Sequence, residues 1–143
     1  MNTWIIDCSV AAAAYLKEPG CDRATALLAS GDELLAPDLI EPEFGNVLWK
    51  CVLRGEITEA EAGKLLASLR QSRIRRKPST RFVQHALRLA IETKRTVYDC
   101  LYLAMAVTLD AVLYTGDVRF CHALQGLSVA RHIAPISSYP LPS

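Results

Sequence analysis

A chain of 143 residues with 16 lysines and arginines against 15 acids carries almost no net charge. That balance argues against a non-specific, charge-driven nucleic-acid binder, which needs a broad positive surface, and leaves room only for a local basic patch. The length suits a single compact domain over 1–143, since no Pro/Gly/Ser-rich linker divides it.

The start reaches Asp7 and Lys17 too soon for a signal peptide, and no apolar run approaches the ~20 residues that span a bilayer. A soluble, cytoplasmic protein without membrane contact is expected. The five cysteines (Cys8, Cys21, Cys51, Cys100, Cys121) are odd in number and scattered, with no Cys-x-x-Cys pair. Neither a zinc cage nor a disulfide framework is indicated, and buried thiols in a reducing compartment are expected.

In chain order, Trp4-Ile5-Ile6 reads as a buried strand, because an exposed one would alternate polar and apolar residues. It ends in Asp7-Cys8-Ser9, and an alanine tract follows as a helix to about Lys17, capped by Ser9 and stopped by Pro19-Gly20. Asp22 to Ser30 is a second short helix closed by Gly31, and Leu34-Leu35-Ala36 a brief strand ending at Pro37. From Asp38 to Arg54 the apolar residues Phe44, Val47, Leu48, Cys51 and Val52 recur at helical spacing, with Pro42 in the first turn and Glu43, Asn46 and Lys50 on a polar stripe. Thr58 and Glu61 have capping-box spacing and open a helix that buries Leu65, Leu66 and Leu69.

Ile74 to Lys77 reads as an edge strand protected by its own charges. Ser79 or Thr80 then caps a helix with Phe82, Val83, Ala86, Leu87 and Ala90 on one face. Val97 to Leu109 is apolar almost all round, so this helix is buried on most sides, with Asp99 near its first turn. Ala111 to Tyr114 forms another buried strand, ending in Thr115-Gly116-Asp117. A short helix to about Leu124, a turn at Gly126, a weak strand near Val129 and a proline-punctuated tail complete the chain. Alternating strands and helices predict a parallel sheet between helical layers.

Asp7 and Asp117 each end a buried parallel strand, so they face the same edge of the sheet, where open α/β folds place their chemistry. Asp99 emerges from the buried helix just before the second of these strands. Converging buried carboxylates are costly unless protonated, hydrogen-bonded or paired with a cation. A hard divalent ion with oxygen ligands resolves the cost and supplies what phosphodiester hydrolysis requires. Glu43 is the natural fourth acid, with Glu41 and Asp38 as neighbouring competitors. Taken singly, each acid has a plainer role: Asp7 and Asp117 as caps, Asp99 as an acid favoured by a helix dipole, Glu43 as a solvated surface group.

Asp7-Cys8-Ser9 after an apolar strand, Glu43 followed by Phe-Gly-Asn-Val-Leu, Asp99 in Tyr-Asp-Cys-Leu-Tyr-Leu-Ala, and Asp117 in Thr-Gly-Asp resemble the PIN-domain ribonucleases. The size and these signatures are similar to the VapC-type toxins of toxin–antitoxin pairs. The resemblance implies an α/β chain with a three-layer α/β/α PIN-like fold around a mainly parallel sheet of about four or five strands. It further implies a metal-dependent endoribonuclease that cleaves structured RNA such as transfer or ribosomal RNA, a cognate antitoxin, and a homodimer. By the family pattern Asp7, Glu43, Asp99 and Asp117 are catalytic and carry Mg²⁺ or Mn²⁺, with Ser9, Asn46 and Thr115 supporting them. Two other classes stand beside this reading. One is a catalytically weak PIN-like protein-interaction module. The other, ranked last, is a phosphoryl-aspartate enzyme using Asp7, which lacks a second acid two residues on and a clear partner lysine.

Arg73, Arg75, Arg76 and Lys77 form the clearest basic run, with a solvated face and a grip on RNA phosphates or an acidic antitoxin segment as equal readings. His85, His122 and His132 lack ligand spacing and are assigned to surface or packing. Trp4, Trp49, Tyr98 and Tyr102 are expected in the core.

Overall fold

The computed structural model describes residues 1–142; Ser143, at the end of the tail, lies outside the described residues. Five strands, β1 (Thr3–Ile6), β2 (Glu33–Pro37), β3 (Arg75–Lys77), β4 (Val112–Thr115) and β5 (Ile133–Pro135), form one parallel sheet in the order β3-β2-β1-β4-β5. The chain steps outward from β1 to β2 and β3, then returns past β1 to place β4 on its other side. The order therefore reverses between β1 and β4, and at such a point the loops leaving the two strands diverge and open a crevice at their carboxyl ends. The register sets Ile6 opposite Tyr114, which brings Asp7 beside Thr115.

Among the described residues seven α-helices connect the strands: α1 (Cys8–Tyr15), α2 (Cys21–Leu28), α3 (Ile40–Leu53), α4 (Glu59–Gln71), α5 (Val83–Thr93), α6 (Val97–Thr108) and α7 (Val118–Ala123). Helix α1 packs on α2, α3 and α4, whereas α6 packs on α5 and lies across β1, β2 and β4. Right-handed crossovers give the same division, because reversing the direction of travel along a sheet sends the connecting helices to its opposite face. The three-layer α/β/α arrangement is thus observed, with every strand pair parallel.

Most predicted elements are present, and the capping box at Thr58 is complete in both directions. Helix α6 is buried from Cys100 through Ala106, as its all-round apolar sequence requires. Several details differ. Asp7, not Ser9, is the N-cap of α1, accepting from Val10 N at 3.2 Å, and the Ser9 hydroxyl is turned toward the sheet edge. The residues after Lys77 open as a 3₁₀ turn (Ser79–Phe82) without a side-chain cap, because Ser79 Oγ is engaged by Asp38 and by Leu39 N. Helix α5 buries Ala86, Leu89 and Thr93, leaving Val83 and Leu87 exposed, so its buried face is rotated from the expected one.

In α4 only Leu69 is fully buried; Leu65 and Leu66 are half-buried. The segment around Val129 is a 3₁₀ turn (Ser128–His132), and the last strand begins four residues later, at Ile133. Trp49 and Tyr98 are exposed rather than in the core. His132 is buried and its Nδ1 lies 2.8 Å from Ala111 O, a packing role as expected.

The basic run is largely consumed in tying the sheet edge to its neighbours. Arg76 donates to Leu69 O, Ile74 O and Arg70 O, Arg73 donates to Ser30 O and Asp32 O, and Arg75 pairs with Glu33 at 3.8 Å. Carbonyls at a helix C-terminus carry partial negative charge, so guanidinium groups close α4 well.

Candidate active site

Four elements bring the candidate acids to the carboxyl edge. Asp7 follows β1, Asp117 follows β4, Glu43 lies in the first turn of α3 and Asp99 in the first turn of α6. The two strand-end aspartates each fill a local structural role with one oxygen. Asp7 Oδ1 caps α1, and Asp117 Oδ1 caps α7 by accepting from Phe120 N at 3.2 Å. The capping and site readings are therefore compatible, because a carboxylate has a second oxygen to offer.

Around Asp7 the order is made by hydroxyls. Ser9 Oγ donates to Asp7 Oδ1 at 2.5 Å and accepts from Gly116 N at 2.7 Å, while Thr115 Oγ1 sits 3.4 Å from Ser9 Oγ and accepts from Asp117 N at 3.0 Å. Gly116 permits this approach: a Cβ there would meet Ser9 Oγ at 3.2 Å, tighter than an ordinary contact. Asp7 is buried, with 9% exposure, and its Oδ2 forms no hydrogen bond among the described residues. Burial pushes its carboxyl up to about 6; the Ser9, Thr115 and Val10 donors pull it back, and the charge of Asp99 adds to the rise. Thr115 favours the charged form through proximity, without a hydrogen bond of sound geometry to Asp7.

Glu43 accepts a hydrogen bond from the hydroxyl of Tyr102, one turn along α6 from Asp99. Its carboxyl is raised first by burial, opposed by the Tyr102 donor, and raised further by Asp7 and Asp99. The two competitors near it are engaged elsewhere: Glu41 pairs with Arg70, and Asp38 accepts from Ser79 N at 3.0 Å and from Ser79 Oγ. Asn46 is exposed and lines the same cleft as Glu43 and Asp99, together with Ser9, Thr96 and Tyr98. This cleft encloses about 650 Å³. A larger one of about 720 Å³ lies beyond Thr115 and Gly116, but none of the four acids lines it, so the smaller cleft is the relevant one.

Asp99 and Asp117 are ordered by a cation that the sequence reading did not anticipate. Arg95 Nη2 donates to Asp99 Oδ2 at 3.1 Å and to Asp117 Oδ2 at 2.7 Å. The Asp99 carboxyl is still raised, by burial foremost, with Arg95 lowering it and Asp117 raising it. Thr96 caps α6 by accepting from Asp99 N at 3.1 Å, a second contact beyond the predicted set. The signal for Arg95 was its position four residues before Asp99, a spacing that pairs opposite charges near a helix. For Tyr102 it was its place three residues after Asp99.

The carboxylates are hard oxygen donors, and three of them resist ionisation partly because of one another, so the set suits an added divalent cation. Among the described residues no three or more His, Cys, Asp or Glu side chains are drawn together closely enough to hold a metal ion as a group. An open set is compatible with Mg²⁺, which takes one or two carboxylates directly and keeps several waters.

Against known proteins, residues 4–123 match the model of the PIN domain. The chain belongs to the PIN-domain family. Among curated PIN-family relatives it is 31% identical over 125 residues to ribonuclease VapC3 of Pyrobaculum aerophilum, covering 86% of this chain and 95% of that protein. It is 35% identical over 122 residues to ribonuclease VapC1 of Mycobacterium tuberculosis, covering 82% and 90%. The resemblance to VapC members seen in the sequence is therefore borne out. Two solved structures share the PIN fold. PAE2754 from Pyrobaculum aerophilum has a TM-score of 0.68 at 24% identity, covering 95% of this chain and 85% of that one. VapBC2 from Rickettsia felis, bound to a DNA fragment from its promoter, has a TM-score of 0.62 at 13% identity, covering 93% and 98%.

Proposed function

We propose that this PIN-domain chain is a VapC-type toxin, a divalent-metal-dependent endoribonuclease that hydrolyses phosphodiester bonds in structured RNA, with transfer or ribosomal RNA as the substrate class. The observation that supports the reading is that Asp7, Glu43 and Asp99 lie near enough at the carboxyl edge of the sheet to raise one another's proton affinity, with Asp117 adding to the rise of Asp99, while Glu43 and Asp99 line the cleft. The VapC3 and VapC1 ribonucleases, similar over most of the chain, support it.

In this reading the four acids would hold Mg²⁺ or Mn²⁺, and the ion when bound supplies Lewis-acid polarisation of the phosphoryl oxygen and a more acidic water. The chain's own groups orient that site. Ser9 and Gly116 fix the rotamer of Asp7 so that Oδ2 faces away from the cap, Thr115 steadies Ser9 and Asp117, and Tyr102 fixes one oxygen of Glu43. The acids form an interacting set, and the proton released by an attacking water passes to that set rather than to one assigned base. Asn46, exposed on the cleft wall, is placed to meet substrate.

The proposed partners are RNA, a cognate antitoxin and a second copy in a homodimer. A cytoplasmic location and a single domain over 1–143 belong to the same proposal. Among the described residues no helix is long and apolar enough to cross a membrane.

Purified protein with Mn²⁺ or Mg²⁺ and total RNA, compared with Asp7→Asn and Asp99→Asn, tests the reading. Metal-dependent cleavage by the wild type alone is expected. Equal cleavage by all three would sink the site, and absence of cleavage together with absence of metal binding would favour the interaction-module reading.

A further inference from the structure

Arg95 is the unusual group at this edge. It leaves the turn between α5 and α6, where Lys94 takes a left-handed conformation (φ 62°) and Arg95 N donates to Thr93 Oγ1 at 3.3 Å. Its guanidinium carbon lies 4.9 Å from the centre of the Phe120 ring, so the cation rests on an aromatic face. One nitrogen, Nη2, serves both carboxylates, whereas Nε is buried with no acceptor. An unpaired buried guanidinium N–H is costly, so this seat is a compromise: the attraction of two acids holds the arginine where one of its own donors goes unsatisfied.

We propose that Arg95 is a positioning residue that acts as the built-in counter-ion of the Asp99–Asp117 pair, competing with the divalent ion and leaving its seat when these acids take one. The two occupants would draw on the same oxygens. Asp99 Oδ2 and Asp117 Oδ2, which would help to hold a divalent ion as hard donors, both accept from Nη2, so an ion taking them would compete with the guanidinium for the same lone pairs. The two cations would also repel each other there. Without an ion, Arg95 prevents Asp99 and Asp117 from repelling each other; with one, the guanidinium is released toward the cleft, where its planar donors suit a phosphate.

The inference rests on the metal-dependent reading, and the test separates the two. Mn²⁺ is titrated calorimetrically into wild type, Arg95→Gln, Arg95→Lys and Asp99→Asn, each checked for folding by its thermal melt. The expected order is Arg95→Gln tightest, by up to roughly fivefold over wild type, the factor that two half-exposed, water-screened ion pairs together represent. Arg95→Lys, which keeps a charge but cannot bridge the pair in the same way, falls between, and Asp99→Asn binds weakest. As a readout on the unaltered protein, Mg²⁺ is expected to shift the Arg95 Nε–H resonance in a ¹⁵N spectrum, identified by its loss in Arg95→Lys. If Asp99→Asn weakens Mn²⁺ binding while Arg95→Gln binds no tighter than wild type, or if the Nε–H resonance stays fixed at saturating Mg²⁺, the counter-ion role is overturned and the metal site stands. If no variant and no wild type binds Mn²⁺, both fall.

Discussion

Asp7 and Asp117 follow neighbouring strands and cap the helices after them, yet they are held in different ways. Asp7 is buried and ordered by neutral donors: a serine hydroxyl, a backbone N–H and a nearby threonine. Asp117 and its companion Asp99 are half-exposed, with side chains 41% and 36% accessible, and are ordered by the full charge of Arg95. Neutral donors orient a carboxylate but leave most of the burial cost in place, so Asp7 keeps its proton unusually well. A guanidinium offsets part of that cost, since the Asp99 carboxyl is still raised by burial, and makes the seat dependent on charge. The same edge thus has one half that is preorganised and one half that is exchangeable.

The largest effect is expected from breaking either half at its acid. Asp7→Asn and Asp99→Asn should each lower metal-dependent RNA cleavage by at least about 10²-fold, measured as single-turnover rates on a defined RNA. Next comes the neutral half's own support. Ser9→Ala removes the donor to Asp7 and the acceptor for Gly116 N; a rate loss of about 10- to 100-fold is expected, with melting showing a cost of about 1–3 kcal/mol. An unchanged rate would mean that Ser9 is only a turn residue.

The third prediction concerns protons. Asp7 has a folded-state pKa raised to about 6 from an ordinary 3.8. Its protonated form is favoured by folding, so that contribution is complete below pH 3.8 and is lost as pH rises through 6. Asp7→Asn keeps the cap and removes the loss. In the absence of divalent ions it should stabilise the chain by about 1–3 kcal/mol at pH 8, and the gain should vanish near pH 4. Parallel melting curves at the two pH values check this, and a gain that persists at low pH would point to packing instead.

The exchangeable half should show the smallest stability effect. Arg95→Gln is expected to change metal-free stability by less than about 1 kcal/mol, because its partners are half-exposed and water screens them. The same substitution should make stability less sensitive to added salt, whereas Ser9→Ala should leave that sensitivity unchanged.

Much of the fold was legible because its signals are local. Ile5-Ile6 and Leu113-Tyr114 are apolar on both sides, and only a strand covered on both faces uses such a run. The reciprocal Thr58–Glu61 cap and the all-apolar α6 were equally plain. Helix α5 was read a partial turn off because Val83 and Leu87 are as apolar as the residues that are buried, and hydropathy alone does not say which face meets α6. The basic run was ambiguous because its use depends on carbonyls from α4 and from the loop after α2.

For the site, the four acids were identified from strand ends and from the family resemblance, but their partners were not. By itself the sequence determined that Asp7 and Asp117 would end adjacent kinds of element, since apolar runs and caps depend on neighbours along the chain. Tertiary structure alone decided that β4 lies beside β1, that Glu41 and Asp38, the competitors of Glu43, are engaged by Arg70 and Ser79, and that Arg95 reaches both Asp99 and Asp117. Apart from the Arg95–Asp99 pair, those outcomes depend on contacts between groups 22 to 108 residues apart, which no local pattern encodes.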